Sequence, residues 1–454
     1  MASKKGTRRR RSPAIVVNRP QVAGVDIGSR EHWVCGPASV DGAANVRVFG
    51  CTTPQLNELV DWLESQKVES VAMESTSVYW IPLFELLEAR GIEAVLVDAR
   101  QMHNVPGRKT DMNDCQWIQL LHSCGLLRAS FRPSAAICKL RALQRQLSNL
   151  VVEKAKFVQW MQKALDQMNV LVHRAVSDVT GKTGMGIVRA IVAGERDPKK
   201  LAKLRDPRCR KSPKEIIAFL TGTWHEEHIF NLGSALQMYD MIDGQIRGYE
   251  ARILQEFEAL QPPERRDAPV PSHPSATKER AIAKRGEQPL RATLWRVAGT
   301  DLTRIDGLGA PAARTILTEI GLDLTRFPTE KHFVSWLRLS PRSPISGGKP
   351  IRKRKNGLGA TRVANVLRMA AAALSRSKSA LGAAYRRVAR RKTGAVAVKA
   401  TARKLAQLVY RVLRYGHTYV DLGEARYEAR FHEQRLKGLK STAQAMGYEL
   451  VLSG

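Results

Sequence analysis

Four acidic residues and one serine stand out for the chemistry their types and spacing could support. In Val22-Ala-Gly-Val-Asp-Ile-Gly28, Asp26 lies in the middle of an apolar strand. An unpaired carboxylate there is costly unless a cation or hydrogen-bond donors compensate it, and a divalent metal is the simplest compensation. The stretch Ser70-Val-Ala-Met-Glu74 ends in a second carboxylate, which would reach the same metal if its strand pairs beside the first. In Lys109-Thr-Asp-Met-Asn-Asp-Cys115, Asp111 and Asp114 are three apart at a helix start. That spacing puts both on one helix face, where the helix dipole favours them. Carboxylates holding Mg²⁺, or Mn²⁺ in its place, are a standard device for phosphodiester displacement. Each acid also has a plain structural reading: Asp26 as a turn residue, Glu74 as a strand-end charge, Asp111 as a helix cap and Asp114 as part of its first turn. Taken together, Asp26, Glu74, Asp111 and Asp114 read as one metal site. Asp98, at the end of Ala94-Val-Leu-Val-Asp98, is adequately explained as a helix cap.

The serine lies in Leu339-Ser-Pro-Arg-Ser-Pro-Ile-Ser-Gly-Gly-Lys349. After Ser346, Gly347 and Gly348 remove side chains that would block a phosphate, and Arg342 and Lys349 could neutralise it. The run Arg352-Lys-Arg-Lys355 extends this phosphate-binding candidate, adding Arg352, Lys353, Arg354 and Lys355. A serine so placed could act as a nucleophile if a base or metal activates it. From pattern alone Ser-Gly-Gly is also an ordinary flexible turn, and Ser343 and Ser340 are equal candidates.

Elements that would position these groups follow from periodicity. Short Val- and Ala-rich segments bounded by Gly, Asp, Asn or Pro predict strands near 21–28, 31–40, 44–51, 69–74 and 92–98. One-sided apolar spacing predicts helices over 54–66 and 78–90. Three strands followed by helix, strand, helix, strand, helix suit a ribonuclease-H-like α/β domain. Between about 134 and 175, Leu140, Leu143, Leu147, Leu150, Phe157, Met161, Ala164, Met168 and Leu171 follow a three-four spacing that only Lys154 interrupts. A second such run joins Leu232, Ala235, Tyr239, Ile242, Ile246, Tyr249 and Ile253, and the two could pair within one chain or between two. The Gly- and Lys-rich 180–212 and the Pro-rich 261–275 read as irregular connections, the second flexible. Ile305-Asp-Gly-Leu-Gly-Ala310, with a helix from Pro311 to Ile320, resembles a helix-hairpin-helix turn, though a plain helix-linking turn fits equally. The predicted order is a disordered basic arm (1–19), an α/β catalytic domain (20–130), a coiled-coil dimerisation region (131–260), a Pro-rich linker (261–291), a mainly helical basic domain (292–425) and a tail (426–454).

Composition restricts the partners. The chain has 454 residues, 43% hydrophobic, and 74 Lys and Arg against 42 Asp and Glu, a formal charge of +32. Such a balance favours a polyanion, with nucleic acid foremost. Residues 331–420 contain 22 Lys and Arg and no acid, unlike a merely solvated surface, which mixes signs. Six cysteines without a Cys-x-x-Cys pair argue against zinc ribbons and secreted disulfide frameworks and favour a reducing compartment. No apolar run reaches the roughly 18 residues of a membrane span, and no signal-peptide stretch opens the chain.

Gly24-Val-Asp-Ile-Gly28, Ala72-Met-Glu-Ser-Thr76 with Tyr79 and Trp80, Asn104 to Asp114, Ile305-Asp-Gly-Leu-Gly309 and Ser346-Gly-Gly-Lys349 together resemble the DEDD transposases of the insertion-sequence one-ten class. These are bridge-RNA-guided serine recombinases related to the Piv DNA invertase. The resemblance implies a RuvC-like domain in which Asp26, Glu74, Asp111 and Asp114 bind metal, and a C-terminal transposase domain in which Ser346 is the nucleophile. It further implies a composite site in which one protomer's acids meet another's serine across a dimer or tetramer. Donor and target DNA would be chosen by a structured guide RNA of a bacterial mobile element, in a cytoplasmic, nucleoid-associated setting. In this chain the middle, 176–290, is long and without an assignable motif, Ser-Pro-Ile precedes Ser346 where a second serine is usual, and Cys115 replaces a common alanine. Two other classes fit the residues: a RuvC-like nuclease or junction resolvase using water and the acids alone, and a non-enzymatic nucleic-acid architectural protein.

Overall fold

Apolar alternation in the N-terminal segment produces five strands: Val22–Ile27 (β1), Glu31–Cys35 (β2), Val46–Gly50 (β3), Ser70–Glu74 (β4) and Glu93–Val97 (β5). The computed structural model describes residues 16–38, 45–75, 77–98, 114–209, 211–341, 345–346, 349–350 and 361–451. It divides into two units, Met1–Arg132 and Pro133–Gly454.

In the first unit the sheet order is β3-β2-β1-β4-β5, with β1, β2 and β3 antiparallel and β1, β4 and β5 parallel. A mixed five-stranded sheet in this order is consistent with the expected ribonuclease-H-like domain. Parallel neighbours need crossovers, supplied by Thr53–Ser65 (α1) and Trp80–Ala89 (α2). Leu59 and Leu63 of α1 and Leu83 and Leu87 of α2 bury against Ala23, Val25, Val71 and Met73 on one sheet face. The opposite face packs Ala72, Val95 and Val97 against Ile118 and Leu121 of Asp114–Ser123 (α3). β2 stops at Cys35, short of the expected residue 40, where Gly36-Pro37 follows and Pro37 brings no amide hydrogen.

The second unit is built on two long helices, Ala135–Gln167 (α4) and Glu226–Ala259 (α9). They run antiparallel, since Lys139 meets Glu256 at 2.7 Å and Lys154 meets Asp243 at 2.5 Å. Leu140, Leu147, Met161, Ile246, Ile253 and Phe257 are buried in this helical pair. The three-four spacing is therefore satisfied within one chain. α4 ends at Gln167, earlier than the spacing predicted, because Asn169 adopts φ 56°, a left-handed conformation that asparagine tolerates and a helix cannot continue. Four short helices follow: Val172–Ala175 (α5), Lys182–Val192 (α6), Pro198–Lys203 (α7) and Pro213–Leu220 (α8).

Residues 261–291 are less linker-like than their composition predicts. They include Ala276–Lys284 (α10) and the start of Gln288–Ala298 (α11). His273 is buried, with Nε2 3.2 Å from the Thr303 carbonyl, and Arg291 is buried on Asp301 and the Pro271 carbonyl. Beyond lie Ala310–Ile320 (α12), Glu330–Trp336 (α13), the two-residue strands Ile345–Ser346 (β6) and Lys349–Pro350 (β7), then Arg362–Ala373 (α14), Ala380–Arg391 (α15), Gly394–Tyr415 (α16) and Gly423–Ala445 (α17). Gly307, in the turn before α12, takes φ 89°, and a Cβ there would lie 3.1 Å from the Ala370 carbonyl, so the turn demands glycine. Buried Tyr410 of α16 donates to the Phe327 carbonyl at 2.6 Å and ties α16 to the chain before α13. Among the described residues no helix is long and apolar enough to cross a membrane.

Candidate functional site

Strand register brings two of the four acids together. β1 and β4 pair in parallel through Val25 opposite Met73, so Asp26 and Glu74, each one residue further, come level at the carboxyl ends of adjacent strands. Neighbouring strands are about 4.8 Å apart and level residues share a face. That face belongs to α3, because Gly24 and Ala72 precede the acids by two and both meet this helix. A Cβ on Gly24 would fall 2.3 Å from the Gln119 nitrogen and 2.4 Å from the Cys115 carbonyl oxygen. Only a glycine lets helix backbone approach strand backbone so closely.

The direction of α3 follows from its partners. Ser70, at the start of β4, is hydrogen-bonded to His122 near the helix end, with Oγ and Nε2 2.8 Å apart. The first turn, with Asp114, therefore lies toward the strand ends that carry Asp26 and Glu74. Burial pushes the Cys115 thiol up to about 11, and the negative charges of Asp26 and Asp114 add to the shift. One buried sulfur thus senses both carboxylates. Asp111 lies outside the described residues.

Two described residues after Glu74 are tied by hydrogen bonds, Ser75 and Ser77. Ser75 donates to the Val97 carbonyl through both its amide and its hydroxyl, each at 3.1 Å. Ser77 takes φ 54°, and Trp80 Nε1 donates to its carbonyl at 3.1 Å. A non-glycine residue in that region carries strain, of the kind that accumulates at functional sites.

Sequence reasoning missed Trp33. It pairs across the β1–β2 ladder with Asp26 and is 38% exposed, on the face that carries the acids. The strand pattern at 31–35 contained the signal: an aromatic at the outward position of a strand beside an acid-bearing one.

These oxygen donors suit a hard divalent cation. Among the described residues no group of three or more His, Cys, Asp and Glu is gathered closely enough to hold a metal alone. The donor types fit, and the fourth acid falls outside the described residues.

In the second unit, Ser346 pairs with Lys349, and Ile345 with Pro350, in an antiparallel two-residue ladder. The expected irregular loop is thus strand-like on either side of Gly347 and Gly348. Two glycines between paired residues are the composition of a tight hairpin connection. Arg342, Ser343, Gly347, Gly348, Arg352, Lys353, Arg354 and Lys355 lie outside the described residues, and Ser340 is half-buried after Leu339.

A mixed sheet presenting acids at the ends of parallel strands, in a chain with a basic helical region, is compatible with an enzyme acting on nucleic acid, and the family comparisons give the class: a transposase. Residues 23–170 match the DEDD transposase model of the IS110 type, and residues 299–386 match the transposase IS116/IS110/IS902 family. The chain belongs to the IS110-class DEDD transposases, and so is a DNA-cleaving and recombining enzyme of a mobile element. No curated protein matches it.

Proposed function

We propose that this transposase performs RNA-guided, site-specific DNA strand exchange through a phosphoserine intermediate. The observation that carries the reading is the level placement of Asp26 and Glu74 on one sheet face beneath the start of α3, in a chain whose other matched segment contains Ser346 and its two-residue ladder. Asp26, Glu74, Asp111 and Asp114 would hold magnesium, or manganese in its place. When bound, the ion supplies charge neutralisation of the scissile phosphate and of the oxygens entering and leaving it.

Ser346 Oγ gives up its proton and bonds to phosphorus as one DNA ester oxygen leaves, taking a proton to become a free hydroxyl. A hydroxyl from a second strand reverses the step, forming the new diester and returning the serine. The bond energy stays in the phosphoserine, so rejoining needs no external energy source. Arg342, Lys349 and the cations at 352–355 would neutralise the phosphate, while Gly347 and Gly348 leave room for it. Because sequence choice is delegated to base pairing with a guide RNA, the protein mainly requires backbone contacts. Ninety acid-free residues carrying 22 Lys and Arg suit that requirement.

Copies would associate as dimers and tetramers, one copy's acids serving another's serine. The test is to purify the protein with its nucleic acid, sequence the bound RNA, and add matching donor and target DNA with Mg²⁺. The expected result is a DNA adduct on Ser346 that Ser346→Ala abolishes and Ser340→Ala does not. Free cut ends produced equally by Ser346→Ala would replace this reading with the water-using nuclease.

A further inference from the structure

The four short helices α5 to α8 lie in a stretch that neither matched segment covers, since the first ends at residue 170 and the second begins at 299. They are packed rather than loose: Val172, Ile187, Val188, Ile191, Leu201, Ile216 and Leu220 are all fully buried, in an apolar core continuous with that of α4 and α9. Gly184 sits so close under the preceding turn that a Cβ would meet the Val179 carbonyl oxygen at 2.3 Å. The stretch predicted from composition to be an irregular connection is thus a packed element at the end of the antiparallel pair α4 and α9.

Its charge differs sharply from that of the helices carrying it. Residues 172–220 contain twelve Lys and Arg against five Asp and Glu, whereas α4 and α9 together contain eight against nine. All five acids of the module accept from main-chain amides. Asp178 accepts from Thr180 at 2.9 Å, Glu195 from Arg196 and Asp197 at 2.9 Å each, and Asp197 from Lys199 at 2.8 Å. Asp206 accepts from Arg208 at 3.0 Å, and Glu215 from Ser212 at 2.8 Å. These carboxylates build the turns and helix caps of the module. Three exposed lysines, Lys199, Lys203 and Lys214, have no acidic partner among the described residues. They fall on α7 and α8, which pack together, with Leu204 exposed beside them. A face that needed only solubility would mix signs outward; here the negative groups are tied to the backbone and unpaired positive ones face solvent.

We propose that the α5–α8 module is a separate binding site for the phosphodiester backbone of a nucleic acid, with Lys199, Lys203 and Lys214 as its contacts. Helices of the length of α4 and α9 span about 50 Å. The site therefore stands well away from the other end of the pair, where Arg145 of α4 grips Glu319 of α12 through two bonds of 2.9 and 2.8 Å. It would hold a distal part of a long duplex DNA or structured RNA without taking part in chemistry.

The test uses the full chain and equilibrium binding across a salt series, with a long DNA duplex in one arm and a structured RNA in the other. Lys199→Glu/Lys203→Glu should weaken binding about tenfold at low salt and reduce the magnitude of the salt slope by about 2, with Lys214→Glu removing about one more, since each lost phosphate contact releases fewer counterions. The matched charge reversal on the carrying helix, Lys156→Glu/Lys163→Glu, should leave affinity and slope nearly unchanged. A loss confined to one arm identifies DNA or RNA as the ligand. Equal losses from both reversals, or no loss from the module variants in either arm, overturn the proposal. Melting temperature controls for folding, and Lys→Gln versions should give a smaller loss in the same order. Crosslinking from a photoreactive residue at Leu204, but not at Val152, provides a second readout. The measurement involves no cleavage, so its result stands whether or not Ser346 forms an adduct.

Discussion

Residues 20–130 carry fourteen Asp and Glu against eight Lys and Arg, whereas residues 331–420 carry 22 Lys and Arg and no acid at all. The acidic region fixes its key side chains by strand register over a buried core; the basic region gathers charge on helices and a two-residue ladder. A carboxylate cluster that binds metal repels the phosphate it must act on until the metal arrives. On the proposed function, separating the charges would let one region place oxygen ligands while the other attracts DNA. Neutralising an acid in the first region should therefore affect chemistry and spare binding, while altering the second should do the reverse.

The largest expected effect is that of Asp26→Asn. On the proposed role of Asp26 as a metal ligand, it should reduce strand cleavage on the order of a thousandfold or more, with DNA affinity equal to or slightly above that of the parent. Quantitative cleavage and binding titrations on the same preparation check it. A variant that cuts normally would break the division of labour, and one that loses binding in proportion to cleavage would merge the two regions.

Next in size is Gly24→Ala. The methyl would enter a 2.3 Å gap to helix backbone, where no side chain can rotate away, so α3 must lift from β1. A loss of roughly 3 kcal/mol is expected, read as a lowered midpoint in denaturant unfolding of the full chain. An unchanged midpoint would mean that α3 does not depend on that contact for its seat above the acids.

An effect that reaches similar size only at its acid limit separates the two units by pH. Burial lowers the His122 imidazole to about 4, helped by the charge of Arg19 and opposed by Glu93. Between its ordinary value near 6.5 and 4, the unfolded chain binds a proton that the folded chain does not. Stability from this group is therefore complete above pH 6.5 and is lost as pH falls toward 4, by up to about 3 kcal/mol. Hydrogen exchange should show the sheet loosening over that range before the helices of the second unit. His122→Asn should flatten the dependence, and an unaltered profile in that variant would assign the acid sensitivity elsewhere.

How much of this could be read in advance depended on whether the physical cause was local. The five strands were legible because alternation and flanking turn residues are written within each segment. The strand positions of Asp26 and Glu74 were legible for the same reason, whereas their proposed role as metal ligands was read from residue type and spacing. The placement of Trp33 beside Asp26 was not legible, since it arises from a cross-strand partner seven residues away through a turn. The burial of His273 and Arg291 was hidden for the same reason: Pro-rich composition suggests looseness, and the Thr303 carbonyl and Asp301 that anchor them lie further along. The α5–α8 module escaped because glycine and lysine, read locally, resemble a loop, while Gly184 is there for close packing.

Lys154 provides the finest test, because the sequence marked it as the one flaw in an otherwise apolar seam. The structure supplies its partner: Nζ lies 2.5 Å from Asp243, and 4.8 Å above the Tyr239 ring. Asp243 also meets Arg247 at 2.6 Å, so it keeps a cation when Lys154 is removed. Lys154→Ala should then cost only about 1 kcal/mol, less than a sole partner in a buried pair would. Lys154→Met, which restores apolar contact along the seam, should be neutral or slightly stabilising. If denaturant unfolding instead shows Lys154→Met losing as much as Lys154→Ala, the ion pair holds the two helices in register, and the antiparallel pair depends on charge as well as on apolar contact.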